Sequence, residues 1–287
     1  MSILITGGGG QLGRSLARAL GGHDVAALAH GELDVADAAS VAAAFERVRP
    51  EAVVHCAALT DTVRCEAEPR VARAINAAGT KNVARACEWA GARLIAISTN
   101  EVFDGRRRSP YGESHSTSPL NRYARSKLEG ERLAAAACAA TLIVRTSWLY
   151  GDGGNNFVAK VLAAARSGRA LSFVTDEIAS PTSADDLAVA ICGLIEQGAP
   201  AGIYHFANEG AVSRYDFACE ILRLAGIDAP VEAITTEELR ARGYAGPHKP
   251  PYSVLANTRG AALGITLRPW WEALAAYIGQ ARVAADG

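Results

Sequence analysis

The 287 residues hold no apolar run long enough to span a bilayer, no Cys-x-x-Cys pair and no excess of either charge. Each absence excludes a class of protein. A membrane-spanning helix needs about 20 apolar residues. Here glycines interrupt the first apolar stretch after six residues, so no signal peptide is expected either. A net charge of −1 gives no electrostatic reason for a nucleic acid or an anionic membrane as partner. The only basic run, Arg106-Arg107-Arg108, is expected to be a solvated loop. Cys56, Cys65, Cys87, Cys138, Cys192 and Cys219 neither pair at redox spacing nor cluster with histidines at zinc spacing. Most lie in apolar or helical surroundings, where a free cysteine behaves as a small hydrophobe. They are read as reduced, which points to the cytoplasm. What is present is ordinary: 49% hydrophobic and 21% charged residues suit a soluble globular chain. The length fits one large α/β domain or two small ones.

Strand and helix signals alternate through the first half. Short apolar runs at 2–6, 24–28, 52–56, 93–97 and 141–144 read as strands. Helical spacing occupies 11–20, 41–48, 71–89 and the segment around Tyr123. Such alternation predicts a doubly wound parallel α/β sheet of the Rossmann type. After Tyr150 a turn-rich break, Gly151 to Asn156, ends the alternation. Residues 1–150 are therefore expected to form a nucleotide-binding domain. Residues 151–287 are expected to form a smaller α/β substrate lobe, partly interleaved with it. Ser183 and Ser213, each followed by an acid, look like helix N-caps.

Three features carry chemistry. Thr6-Gly7-Gly8-Gly9-Gly10-Gln11-Leu12-Gly13 follows the first strand and opens the first helix, with Gly7, Gly10 and Gly13 at Gly-x-x-Gly-x-x-Gly spacing. Glycines there permit a tight turn and close approach of the backbone to a pyrophosphate, which the helix N-terminus attracts. Ser98-Thr99 closes the fourth strand, at the carboxyl edge where ligands bind in open α/β sheets. Tyr123 and Lys127 stand four apart on a helical stretch, so they share a face. An ammonium beside a phenol favours the phenolate, so Lys127 is expected to lower the Tyr123 pKa and make it a usable acid. Thr99, Tyr123 and Lys127 then form a catalytic set for carbonyl reduction. Thr99 holds the growing oxyanion and Tyr123 protonates it, while Lys127 is also expected at the nicotinamide ribose. The second strand ends Leu28-Ala29-His30-Gly31 with no acid until Glu32. The usual partner of a free ribose 2′-hydroxyl is missing. Arg14 and His30 are candidates to face a 2′-phosphate, so NADPH is favoured, with NADH as the alternative. Leu33-Asp34-Val35 would lie near the adenine, although Asp34 reads equally well as a helix N-cap.

The glycine turn, the hydroxyl pair and Tyr-x-x-x-Lys resemble the extended short-chain dehydrogenase/reductase superfamily. Longer runs resemble the dTDP-4-dehydrorhamnose reductases within it: His55-Cys56-Ala57-Ala58-Leu59-Thr60, Val102-Phe103-Asp104-Gly105, Ser118-Pro119-Leu120-Asn121, Arg145 to Gly151, Gly154-Asn155-Asn156-Phe157, Ser180-Pro181-Thr182 and Pro250 to Leu255. The similarity covers nearly the whole chain, and the motifs are specific as a set. It implies reduction of a dTDP-linked 4-keto-6-deoxy sugar by Thr99, Tyr123 and Lys127. It places Ala57 and Ala58 with Gly7, Gly10, Gln11, Leu12, Gly13, Asp34 and Val35 at the cofactor. Thr60 and Trp148 are expected near the sugar, with core packing as the alternative for Trp148. Asn156 and Lys249 are candidates for the diphosphate arm, with a solvated side chain as the alternative for Lys249.

The chain departs from that family at Thr99-Asn100-Glu101, where the reductases usually have Thr-Asp-Tyr and related 4,6-dehydratases Thr-Asp-Glu. An amide cannot donate a proton to leaving hydroxide as a carboxylic acid can. Elimination is disfavoured and reduction is not. Asn100 and Glu101 are both placed on the substrate side, where Glu101 could bind a sugar hydroxyl or deprotonate a carbon beside the ketone. An epimerase or dehydratase on the same scaffold, or a non-catalytic NADP-binding regulatory subunit, are the rival readings. The first helix has Arg14 and Ser15 where some relatives place acids for a metal-linked dimer contact. No metal is expected, and the chain is taken as monomer or homodimer.

Overall fold

The protein is described by a computed structural model covering residues 1–153 and 155–286, with side chains to Gln280. Gly154, part of the Gly154-Asn155-Asn156-Phe157 motif, lies outside the described residues. Five strands follow the expected runs: β1 (Ser2–Thr6), β2 (Asp24–Leu28), β3 (Ala52–His55), β4 (Arg93–Thr99) and β5 (Thr141–Thr146). They form a parallel sheet in the order Gly202–His205, β5, β4, β3, β1, β2. Ile3, Leu4, Ile5, Val53 and Val54 are fully buried. Helices cover both faces, so the strands read as unbroken apolar runs rather than alternating ones. One face packs Leu12 and Leu16 with Leu187, Ile191 and Leu194. The other packs Val41 and Phe45 with Val83, Ala84 and Cys87.

The chain runs from β1 outward to β2 and then returns past β1 to β3. Because β1 pairs with both, the strand order reverses there. That reversal opens a crevice at the carboxyl ends of β1 and β3, the usual ligand position in such sheets. Two segments beyond residue 150 join these layers. Strand Gly202–His205 pairs with β5, and helix Ala184–Glu196 packs on α1 (Gln11–Ala19). The rest of the later chain builds a second body around Tyr150, Val158, Leu171, Phe217, Ile221 and Leu274. Its strands pair in twos, 171–174 with 231–234 and 178–179 with 212–213.

Four local expectations change. The long helix expected over 71–89 is three pieces: Pro69–Arg73, a π-helical turn Ala74–Gly79 and Thr80–Ala90. Pro69 restarts the helix at its first turn, where a missing N–H costs nothing. The π turn carries buried Asn76, whose amide binds both backbone groups of Leu59. The N-cap of the second helix, Ala38–Val48, is Asp37 and not Asp34. Asp34 instead accepts from the Ala36 N–H at 2.9 Å. β4 and β5 each run two residues past their expected apolar runs, and Ser98-Thr99 closes β4 as expected. Ser213 caps its helix as expected, accepting from the Asp216 N–H. Ser183 occupies the same position without a side-chain bond. All six cysteines are free thiols.

Candidate active site

The glycine turn is shaped by contacts only glycine allows. Gly7 has φ +68°, and a Cβ there would lie 2.8 Å from the Ala57 nitrogen. A Cβ on Gly13 would lie 2.5 Å from the Gly7 carbonyl. The turns after β1 and β3 are thus in backbone contact, and α1 sits directly on the first. Gly10 caps α1 without a side chain. The N–H groups of Gln11, Leu12 and Gly13 therefore keep the free donors of a helix start. A dinucleotide pyrophosphate fits this cradle on geometry and dipole sign. Gln11 ties the turn to the later chain through the Leu149 carbonyl at 3.1 Å. Leu12 is core, and Val35, expected at the adenine, is also core at 3% exposure, with its carbonyl held by Asn82.

Thr99 ends β4, and its hydroxyl accepts from the Glu101 N–H at 3.2 Å while facing the Asn100 amide oxygen at 3.3 Å. Helix Arg122–Ala137 presents half-buried Tyr123 and buried Lys127, and Asn121 caps it. The helix sits close to the π turn because residue 130 is glycine: a Cβ there would lie 2.3 Å from the Asn76 carbonyl. Asn76 donates to Ser126, which donates to the Tyr123 carbonyl at 2.7 Å. One turn past Lys127, Glu131 accepts from Ser98 at 2.5 Å and from Arg145 at 2.9 and 2.6 Å. None of Asn76, Ser126 or Glu131 carries a motif signal; their role depends on which helix faces them.

The electrostatics correct one expectation. The Tyr123 pKa is not brought below that of an ordinary phenol. Burial pushes the phenol up, the Glu101 carboxylate adds to this, and a hydrogen bond with Thr99 opposes both. Lys127 is itself pushed down to about 8 by burial, with Glu131 and then Cys56 working the other way. Buried ammonium and phenol both lose hydration, and that loss is the largest cause of each shift. His55, bonded to Thr6 at 2.8 Å and Thr80 at 3.0 Å, is held neutral, pushed down to about 3 by burial and then by Lys127.

A charged group flanks the tyrosine. Lys249 donates to Glu101 at 2.6 Å, and Asn121 donates to the other Glu101 oxygen at 2.7 Å. Lys249 is therefore not a solvated lysine; its charge is committed to Glu101. Asn100 donates to the Ser253 hydroxyl at 2.7 Å. Trp148 is partly buried, with φ 42°, and the Arg214 guanidinium lies 3.5 Å above its ring. Asn156, a candidate for the diphosphate arm, caps helix Phe157–Arg166 and donates to the Gly151 carbonyl at 2.9 Å and to Gln11 at 3.3 Å. Its amide is spent on the chain itself, beside the glycine turn. Thr60 is exposed after the turn that follows β3, and Ala57 and Ala58 line that turn. Sequence reading did not single out Arg214 beyond a helix start, nor Glu177.

The parallel sheet, the glycine turn and the Thr–Tyr–Lys set together define an extended short-chain dehydrogenase/reductase. The model of the RmlD substrate binding domain matches residues 1–283. The spore coat polysaccharide biosynthesis protein SpsK of Bacillus subtilis is 39% identical, over 99% of both chains. A dTDP-4-dehydrorhamnose reductase of Streptomyces griseus is 40% identical, over 94% of this chain and 91% of that one. The solved dTDP-4-dehydrorhamnose reductase of Bacillus anthracis, in complex with NADP, is 36% identical with a TM-score of 0.92, covering 97% of this chain and 98% of that one. The chain belongs to the dTDP-4-dehydrorhamnose reductase family. Among the described residues, no helix is long and apolar enough to cross a membrane.

Proposed function

We propose that the protein reduces the 4-keto group of a dTDP-linked 4-keto-6-deoxy-L-sugar, giving dTDP-L-rhamnose or a close relative. The observation that carries this is the Thr99–Tyr123–Lys127 set at the carboxyl edge, beside a glycine turn built for a pyrophosphate, in a chain similar over its length to named reductases. The bound nicotinamide supplies the hydride. Thr99 and Tyr123 hold the carbonyl oxygen, and Tyr123 gives it a proton as charge develops. Lys127 stabilises the phenolate left behind.

NADPH is the favoured donor. β2 ends without an acid, and the first acid beyond it, Glu32, turns back to accept from the Ala29 N–H at 2.9 Å. Arg14 and His30 are exposed in that region, with the Arg14 Nε on the Gly9 carbonyl at 3.0 Å. The Bacillus anthracis relative binds NADP. The pairing of Glu101 with Lys249 and Asn121 argues against an epimerase or dehydratase using it as a base.

A coupled assay tests this. dTDP-4-keto-6-deoxyglucose and a 3,5-epimerase are supplied, NADPH and NADH loss are followed, and the product is identified by NMR. Net NADPH consumption with a 4-hydroxy product is expected. Conversion of the nucleotide sugar by this protein without the added epimerase, and with no net loss of reduced cofactor, would sink the proposal in favour of an epimerase or dehydratase.

A further inference from the structure

Arg214 is the first residue of helix Arg214–Ala225 and one of the least satisfied cations near the site. Its guanidinium lies 3.5 Å from the Trp148 ring centroid and 4.9 Å from that of Phe157. The side chain is only 20% exposed. Its nearest carboxylate oxygen, on Glu177, is 3.8 Å away, beyond hydrogen-bond reach. The backbone N–H binds the Glu177 carbonyl. Among the described residues the guanidinium itself makes no hydrogen bond. Arg145, by contrast, is 3% exposed and makes two hydrogen bonds to Glu131. Lys249, the other cation of the cleft, is already on Glu101 at 2.6 Å.

A guanidinium has five N–H donors in one plane and no acceptor. With its carbon 3.5 Å from the Trp148 ring centroid, the guanidinium is held over the indole, and its unused donors can serve a planar or tetrahedral oxyanion two at a time. Trp148 holds a left-handed backbone, a conformation that costs energy in a bulky residue and persists where the surroundings fix it. The stack is thus held from below. Burial pushes the Arg214 pKa down to about 10, with Glu177, Glu101 and Tyr244 opposing, so it stays charged at neutral pH. The loop at 249–253 links Arg214 to Thr99: the Arg214 N–H binds the Glu177 carbonyl, the next residue, Ile178, binds the Pro251 carbonyl, and Asn100, beside Thr99, binds Ser253.

We propose that Arg214 is the cation that binds the diphosphate of the nucleotide-linked sugar, the role sequence reading gave to Lys249. This rests on the substrate being a dTDP-linked keto sugar. The diphosphate is the formal charge of such a molecule. Arg214 offers it a desolvated fork with free donors, whereas the Lys249 charge is neutralised by its partner. Glu177, at 3.8 Å, competes for the charge of the fork without using its donors.

The test is calorimetric binding of dTDP and of thymidine to the NADP-loaded protein, for the wild type, Arg214→Gln and Arg214→Lys. dTDP affinity should fall about 10- to 100-fold in Arg214→Gln, the worth of charge-assisted hydrogen bonds. Thymidine affinity should not change, and Arg214→Lys should recover only part of the loss. KM for the keto sugar should rise with little change in kcat. Glu177→Gln, which removes the competing carboxylate, should tighten dTDP severalfold. Folded Arg214→Gln that binds dTDP within twofold of the wild type overturns the assignment, as does weaker dTDP binding in Glu177→Gln. If the wild type reduces no dTDP-keto sugar yet its dTDP binding depends on Arg214, the proposed function fails and the Arg214 assignment stands. If the wild type is active and Arg214→Gln loses nothing, only the Arg214 assignment fails.

Discussion

Replacing Glu131 with glutamine would isolate a buried arginine and at once lower the pKa of Lys127, the lysine proposed to act with Tyr123. Glu131 is 7% exposed and takes both Arg145 bonds and the Ser98 hydroxyl. Arg145 is 3% exposed, lies 5.3 Å from the Phe103 ring centroid, and already has an unpartnered Nη1. Glutamine keeps the shape but turns one acceptor into a donor facing a donor. Breaking a buried pair in this way costs about 3–5 kcal/mol, against a total stability of about 5–15 kcal/mol. At roughly 2–4 °C per kcal/mol for a chain of this size, the melting temperature should drop by about 10 °C. The functional effect has a definite sign. Burial pushes the Lys127 pKa down to about 8, and Glu131 opposes it. Without Glu131 the pKa falls further, the ammonium is lost at lower pH, and the alkaline limb of kcat/KM moves towards acid. Denaturant titration gives the first number and a pH–rate profile the second. Arg145→Met in the Glu131→Gln background should recover part of the stability, since no charge is then left unpaired. A Glu131→Gln protein melting within about 2 °C of the wild type, with an unmoved alkaline limb, would refute both parts of this account.

Tyr123→Phe should lose on the order of 10² or more in turnover while still binding NADPH, read by steady-state kinetics and cofactor fluorescence. Gly13→Ala should lose most cofactor binding, because its Cβ would meet the Gly7 carbonyl at 2.5 Å and the Gly8 Cα at 2.7 Å. Gly9→Ala should melt like the wild type in the absence of cofactor, since its Cβ meets only the Ala29 methyl at 3.5 Å. Asn100→Asp should not gain dTDP-glucose dehydration, assayed by the ultraviolet absorbance of the 4-keto product in base. It supplies an acid, but Glu101 remains tied to Lys249 and Asn121.

Features forced by local sterics were legible in the sequence. Gly7 must be glycine for its φ of +68°, and Gly13 because the Gly7 carbonyl occupies its Cβ position, so their spacing announces the turn. Tyr123 and Lys127 sit on one helix, and Thr99 ends a strand, so the chain's own periodicity brings out each. Features set by contact between distant segments were not. The helix expected over 71–89 breaks because Asn76 reaches Leu59 and a π turn accommodates it. Lys249 meets Glu101 across 148 residues, and nothing local to a proline loop indicates that. Arg214 looks like any first-turn arginine until Trp148 is placed beneath it. Asn156 reads as a ligand residue and serves as a cap, because Asn suits both tasks.

The raised Tyr123 pKa changes how the proposed Tyr123–Lys127 pair would work rather than whether it can. A proton donor for reduction must be protonated when hydride arrives. A phenol pushed up by burial and by Glu101 is loaded at every physiological pH. Its proton still moves downhill, because the alkoxide formed from the ketone is a stronger base than any phenolate. The lysine then matters after the transfer, when its ammonium meets a phenolate that burial would otherwise penalise. That assigns the pH limit of the reaction to Lys127, whose pKa of about 8 lies far closer to neutrality than that of the tyrosine. Activity should therefore fall as pH rises through about 8, well before the phenol ionises. On the proposed mechanism the neighbours that hold Lys127 charged, Glu131 first, become as important to the chemistry as Tyr123.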